Sequence, residues 1–523
     1  MARILIVTGR LAEPIVRRVL GSVAGYEIDV FVAPVDIAAF MTVDYVAKLL
    51  AGRVGKNSYD YIILPGLVRG SGKVVESVTG VRTVKGPVNA VDLPDVLKVG
   101  LDVLSPDKPA DEVLQSLRLE RCKRVLAEVE KRALEKRGFA VGGLYVALEP
   151  PPIRVASEIS HSHMLSDEEL VKRVSYLIES GADVISLGFE ALEPHPDDVH
   201  RVVRAVKSVF DVPIAIDTSI PSEILRGVEA GADMVINIDL TNIEHVKGVD
   251  KNIAVVAIPR NPADNSIPRD YGERVELLAK TVDVVKSHGF EKVFADAILE
   301  PIGNTFKSLQ AYAKFKEIRK DVPLFMGIGN VAELIDADSV GVNAILVALA
   351  QEIGASMVLT VEHSTKAKGS TREVKIATQM MAIASSLETL PKDLGISLLI
   401  LKDKRRYDTP IDNYDQVVYA EEEEKPYTLD PMGVFKIRVN HEEGYIEALY
   451  IGRKGRILIK GRTAKAIRNK IVELGLASQT SHALYLGAEL AKAEEALKLG
   501  KNYVQEQPLF MLPKPIKIQR NDT

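Results

Sequence analysis

The feature that most constrains this chain is a phrase written three times, as Glu179-Ser-Gly-Ala-Asp-Val, Glu229-Ala-Gly-Ala-Asp-Met and Glu352-Ile-Gly-Ala-Ser-Met. In each, a helical stretch meets a glycine and an apolar run follows at once. Glycine adopts the left-handed helix cap without a Cβ penalty, so the phrase encodes a helix stop and a strand start. Around these phrases the pattern predicts strands at 153–159, 183–188, 213–217, 233–238, 253–258, 293–297, 322–327 and 356–361. Eight strands alternating with helices across 144–390 imply parallel strands closed into a TIM-type (β/α)8 barrel. The glycine turns then lie on the barrel floor and serve stability. Chemistry belongs to the opposite rim, at the strand C-termini.

The flanks read differently. In residues 1–140, ILIVTG (4–9), EIDVFVA (27–33) and YIILPG (61–66) are short apolar runs separated by helix-like stretches, which predicts a parallel α/β domain of Rossmann or flavodoxin type. Residues 111–137 have helical spacing and lead toward the barrel. Residues 391–430 are acidic and poorly periodic and read as a linker or excursion. VFKIRVN, YIEALYIG and RILIKG predict antiparallel strands, followed by a helix at 483–500, so 431–523 reads as a small α+β domain.

Composition narrows the function classes. With 67 basic and 72 acidic side chains the net charge is −5, which gives no basic excess for nucleic acid or anionic lipid. A single cysteine, Cys122, excludes an internal disulfide and an all-cysteine metal cage. The first residues, MARILIVTGR, read as a strand rather than a signal peptide. The apolar run 344–361 is broken by Gln351 and Glu352 and is too polar to span a membrane. A soluble cytoplasmic protein is expected.

The barrel rule selects the rim residues: Glu158, Ser160 and His161 after strand one, Glu190 after strand two, Asp217-Thr218, Asn237 and Asp239, Arg260-Asn261, Asp296 with Glu300 and Asn304, Gly329-Asn330, and Glu362-His363. Ionised carboxylates accept N–H bonds and asparagine both donates and accepts. Such a set suits a ligand edge of alternating donors and acceptors, of which the 2-amino-4-oxo edge of a pterin is an example. Each residue also has a plainer reading. Asp217-Thr218 can cap the next helix, Asn237 and Asp239 can satisfy loop backbone, Asp296 can be a surface carboxylate, and Asn330 can cap VAELI. His161, His163 and His363 read individually as satisfied loop histidines. His161-x-His163 is a lone pair, so no metal site is assigned. The turns at Gly9, Gly66 and Gly70 carry no phosphate-loop motif and read as structural.

In order, GADVISLGFE, PIAIDTS, GADMVINID and FADAILEPIG resemble successive strands of the pterin-binding barrel superfamily, whose branches include dihydropteroate synthases and methyltetrahydrofolate–corrinoid methyltransferases. The chain as a whole is similar to the dihydropteroate synthase-like proteins of archaea. The resemblance implies that Asp217, Asn237 and Asp296 hold a reduced pterin of tetrahydrofolate or tetrahydromethanopterin type. It also shows two departures. Where the synthases carry Ser-Arg-Lys after strand seven, this chain has Gly329-Asn330-Val331. Where they carry Arg-Val-His at strand eight, it has Thr360-Val361-Glu362. Pyrophosphate departure needs cations at those places, and Lys366 and Lys368 are the nearby candidates to replace them. GIGNVAEL, LEPIGN and Glu158 resemble the methyltransferase branch instead.

That likeness implies methyl transfer from an N5-methylated tetrahydropterin to a corrinoid or thiol acceptor, with Glu158 among the pterin contacts and Asp296 and Asn330 acting at N5. Dihydropteroate synthase-type condensation with an arylamine and a non-catalytic pterin-binding regulator are the alternatives. The C-terminal phrase from Ser481 resembles a corrinoid-carrying subunit distantly, so a corrinoid is expected on a partner protein or in that domain. His482 itself reads as capping or packing. A homodimer is expected from the resemblance alone.

Overall fold

The computed structural model describes all residues except 22, 192, 393, 405–414, 421–427, 512, 514 and 516–523. It divides into two compact units, Met1–Asp415 and Gln416–Thr523.

In the first unit, strands β1 (Ala2–Thr8), β2 (Tyr26–Val32), β3 (Tyr61–Leu64) and β4 (Arg82–Lys85) form a parallel sheet in the order β2-β1-β3-β4. The first three match the apolar runs. The fourth, RTVK, is too short and polar to stand out in the sequence. Gly9 and Gly66 close the turns after β1 and β3. A Cβ on Gly9 would come 2.9 Å from backbone atoms of residues 35, 36 and 38, and one on Gly66 would come 2.7 Å from the carbonyl carbon of Pro87. These glycines are there because another turn packs on them.

The helix Ala110–Ala133 leads from this sheet to the barrel. It ends before Arg137, because the chain turns into a hairpin that the periodicity did not show: β5 (Gly138–Val141) and β6 (Leu144–Ala147). The hairpin closes the barrel floor. Val141 and Val146 join the apolar cluster inside the barrel with Val184, Met234, Phe294 and Met357, and Phe139 packs edge-on against Phe294 at 5.0 Å between centroids.

The barrel strands are β7 (Arg154–Ile159), β8 (Val184–Gly188), β9 (Ile214–Asp217), β10 (Met234–Ile238), β11 (Ala254–Ala257), β12 (Val293–Ala295), β13 (Leu324–Gly327) and β14 (Ala355–Val361). They close in sequence order, with β14 pairing β7. Every predicted barrel strand is present. Alternate residues point inward to the core just described and outward to the helices; in β8, Val184 points in while Ile185 and Leu187 pack out. Gly181, Gly231 and Gly354 have φ of 101°, 104° and 89°, the left-handed caps that the repeated phrase requires.

The second unit holds β15 (Gly433–Asn440), β16 (Tyr445–Gly452) and β17 (Gly455–Gly461), an antiparallel sheet covered by helices Ala464–Glu473 and Thr480–Leu499. The first of these helices is additional to the sequence reading. Within the stretch 391–430, residues 393, 405–414 and 421–427 lie outside the described residues, and the described remainder forms no helix or strand. No helix among the described residues is long and apolar enough to cross a membrane.

Candidate functional site

Four of the five expected ligand-binding residues sit on the rim through the strands themselves or the residues immediately following. Glu158 lies in β7, Asp217 ends β9, Asn237 lies in β10 and Asp296 follows β12 directly. Register sets Asp217 beside Gly188 on one side and Ile236 on the other, and Glu158 beside Ser186, two residues before Gly188. Gly188 makes room for Glu158, because a Cβ there would stand 2.4 Å from its Oε1.

Asn237 owes its direction to a break in the strand. The register between β10 and β11 shifts between Val235 and Ile238, and Asn237 takes φ 72°. Asparagine tolerates this left-handed conformation better than a branched residue. Its amide donates to Asp217 Oδ1 at 2.6 Å. Behind it, Asn242 donates to the Asn237 carbonyl at 2.8 Å and holds the turn. Asp239 serves that same loop, accepting from the Thr241 amide at 2.7 Å. Arg260 Nε stands 3.0 Å from Asp239 Oδ2 as an ion pair, without the alignment of a hydrogen bond. So Asp239 follows the loop-satisfying reading, whereas Asp217 is no helix cap: Thr218 bonds the next turn and Glu223 instead.

Asp296 is 5% exposed and accepts from the Ile298 amide at 2.7 Å and from the Tyr312 hydroxyl. It is no surface carboxylate. Ile298 has φ 64°, unusual for a β-branched residue and costing on the order of 1–2 kcal/mol. Arg274, 1% exposed, holds this turn by donating to the carbonyl of Ile298 at 3.2 Å and pairing with Glu300. Asn330 lies in the short helical turn Gly329–Ala332 rather than at its cap, and its amide donates to the Leu299 carbonyl at 3.0 Å. It thereby joins the loop after β13 to the loop that carries Asp296. Tyr312 and Arg274 were not singled out in the sequence. Each sits in a helix distant in the chain, and only packing brings it to Asp296.

Burial raises the carboxyls of all three acids. Asp217 is pushed up to about 8 by burial and by the negative charges of Glu158 and Asp296. Asp296 is pushed up to about 6 by burial, with Tyr312, the Ile298 amide and Arg274 pulling it back. Glu158 rises through burial and is held back by its bond from Ser160 at 2.9 Å and by the nearby His161 and His363. At neutral pH Asp217 therefore keeps its proton and can donate, whereas Asp296 is largely ionised and accepts, so the rim offers both kinds of partner to a ligand edge of alternating donors and acceptors.

The expected cation positions of strands seven and eight are differently employed. Glu362 has a fully buried side chain and accepts from the Gly369 and Thr371 amides at 2.9 and 3.0 Å and from the Tyr176 hydroxyl. It fastens the start of the helix Ser370–Ser386. Lys366 donates to the Ile335 carbonyl and lies 3.6 Å from Asp336, and Lys368 is exposed. In the second unit, His482 is 3% exposed, with Nδ1 2.9 Å from Asp430 Oδ2 and its ring near Phe435. It packs in that unit's core, as its sequence context suggested.

Three family models match this chain in succession: a family of unknown function, DUF6513, over 2–88, one described as "Pterin binding enzyme" over 156–361, and one described as PterinBD-DUF4346 over 429–506. A protein of Methanocaldococcus jannaschii, described as uncharacterized protein MJ0107, is 36% identical over 97% of this chain and 99% of its own length. The dihydropteroate synthase of Clostridium beijerinckii is 27% identical over 30% of this chain and 64% of its own length. Among solved structures, Yersinia pestis dihydropteroate synthase with a pterine-sulfa conjugate aligns at 17% identity and a TM-score of 0.38, covering 48% of this chain and all of that one.

Proposed function

We propose that this chain, which belongs to the dihydropteroate synthase-like family of pterin-binding barrels, uses its rim to bind a reduced pterin and take part in methyl transfer from N5 of an N5-methylated tetrahydropterin. The observation that carries the reading is the buried acid row of Glu158, Asp217 and Asp296 with Asn237, beside strand-seven and strand-eight positions, Gly329-Asn330-Val331 and Thr360-Val361-Glu362, that carry no cation. Asp296, ionised at neutral pH, accepts from the N–H groups of the pyrimidinone edge, and Asp217, which keeps its proton, offers that edge a donor while its Oδ1 accepts from the Asn237 amide. A neutral amino-pyrimidinone suits a rim whose acids resist ionisation.

Methyl transfer breaks the N5–CH3 bond and forms a bond from the methyl to the acceptor. N5 keeps the electron pair and takes up a proton, released by the acceptor when that is a thiol and drawn from solvent when it is a cob(I) corrinoid. A donor at N5 therefore gains strength as the transfer proceeds, which is what accelerates a step. Asn330 is assigned that role: one N–H of its amide holds Leu299, and the other is available to N5. Asp296 is held on the same pair of loops. The acceptor is a corrinoid cobalt or a thiol on a partner protein; His482, 3% exposed, is not placed to ligate it. Condensation of the synthase type is disfavoured by Glu362, whose buried carboxylate occupies the strand-eight place where a diphosphate would need a cation.

Asn330→Ala tests the assignment. With methylcobalamin formation from cob(I)alamin and an N5-methyl tetrahydropterin as the assay, a fall in kcat of roughly 10- to 100-fold with KM little changed is expected. An unchanged kcat removes Asn330 from N5. A substrate pair of pterin diphosphate and arylamine turned over by the unaltered protein would replace methyl transfer with condensation.

A further inference from the structure

A second constellation lies on the same rim, one that neither the family likeness nor the acid row uses. Among the described residues, His163, Glu190 and His195 each offer one ligand atom, and these atoms lie within 4.8 Å of one another. His163 stands in the turn after β7, Glu190 in the loop after β8, and His195 immediately before the helix Pro196–Lys207. The two imidazoles stack at 4.4 Å between centroids with 17° between planes. His163 Nδ1 and His195 Nε2 are both buried atoms without a hydrogen-bond partner. Two lone nitrogens left unpaired side by side are costly in an ordinary loop.

We propose that His163, Glu190 and His195 bind a borderline divalent transition ion such as Zn2+. Two imidazole nitrogens and a carboxylate oxygen form a donor set suited to such ions, and three protein ligands leave one tetrahedral position for water or an anionic group of a substrate. Ligand atoms around a tetrahedral zinc stand ~3.4 Å apart, given Zn–N and Zn–O bonds of about 2.1 Å. His195 Nε2 and Glu190 Oε2 are 4.0 Å apart, so small side-chain rotations close the set.

The surroundings fit the role. His195 turns Nδ1 toward Asp198, whose Oδ2 is 4.0 Å away, the placement of an outer carboxylate that orients a metal-bound imidazole. The His163 turn is fastened by Ser162, which donates to the Gly188 carbonyl at 3.0 Å, and by Arg201, which donates to the His163 carbonyl at 2.9 Å. The His195 amide donates to Glu223 at 2.8 Å. The Arg201 charge is itself met by Asp167 and Asp198.

The test uses the full chain, stripped with a chelator and titrated with Co2+ by visible absorption and with Zn2+ by calorimetry. One equivalent of Co2+ with the strong d–d bands of a four- or five-coordinate ion, displaced by Zn2+, is expected. His163→Ala with His195→Ala should abolish that signal, and Asp198→Asn should weaken binding by roughly 10-fold. Circular dichroism checks that the variants are folded, and Glu190→Gln, which removes only a charge from an exposed loop, serves should the double variant unfold; it too should weaken binding. Weak six-coordinate Co2+ spectra, or wild-type affinity in folded His163→Ala/His195→Ala or in Glu190→Gln, would overturn the site. Neither result depends on pterin binding.

Discussion

The two ends of the same barrel treat the same residue type in opposite ways. On the floor, the aspartates of the repeated phrase are fully employed. Asp183 accepts from the Val155 amide at 2.9 Å and pairs with Lys375 at 2.7 Å. Asp233 accepts from the Ile214 amide at 2.8 Å and pairs with Lys207 at 2.5 Å. Each ties the start of one strand to its neighbour and is neutralised by a lysine. On the rim, neither Asp217 nor Asp296 pairs with a lysine among the described residues. Burial lifts their carboxyls to about 8 and about 6; Asp217 also faces the charges of Glu158 and Asp296, while Arg274 pulls Asp296 back. The floor is arranged for stability. The rim withholds it until a ligand with complementary N–H groups arrives, a pattern common where binding sites conflict with folding.

That contrast can be broken at either end. The largest effect is expected on the floor: Asp233→Ala leaves Lys207 and the Ile214 amide without their acceptor and should cost roughly 2–3 kcal/mol in urea unfolding while leaving ligand affinity intact. The opposite sign is expected on the rim. Between pH ~4 and ~8 an unfolded chain ionises Asp217 while the folded protein keeps its proton, so stability falls as pH rises through that window. Asp217→Asn removes this loss. The variant should gain on the parent by a margin that widens steadily from pH 5 to pH 8, in thermal unfolding followed across pH. A gain that is flat with pH would mean that Asp217 does not carry the strain ascribed to it.

The floor was legible because its devices are local. A glycine cap followed by an apolar run is written within six residues, and repetition made it hard to miss. The eight barrel strands follow from it, and so do Asp217, Asn237 and Asp296, each placed by the end of a strand. What escaped notice depends on packing. The hairpin of β5 and β6 has short, mixed runs whose role is to plug a floor formed by other strands. Tyr312 and Arg274 reach Asp296 only because two helices pack around β12. His163 paired in sequence with His161, whereas in space it stacks on His195, because the β7 and β8 loops lie side by side once the barrel closes.

The central claim is that the rim acids form a pterin site, and titration of the protein with N5-methyl tetrahydropterin in a calorimeter tests it most directly. Saturable binding at pH 7.5 is expected, weakening as pH falls through about 6, where Asp296 takes up a proton, and weaker by at least ~30-fold in Asp296→Asn, the loss of a charged hydrogen-bond acceptor. No heat of binding and no rise in melting temperature with either the methylated or the unmethylated pterin, or equal affinity in Asp296→Asn, would contradict it.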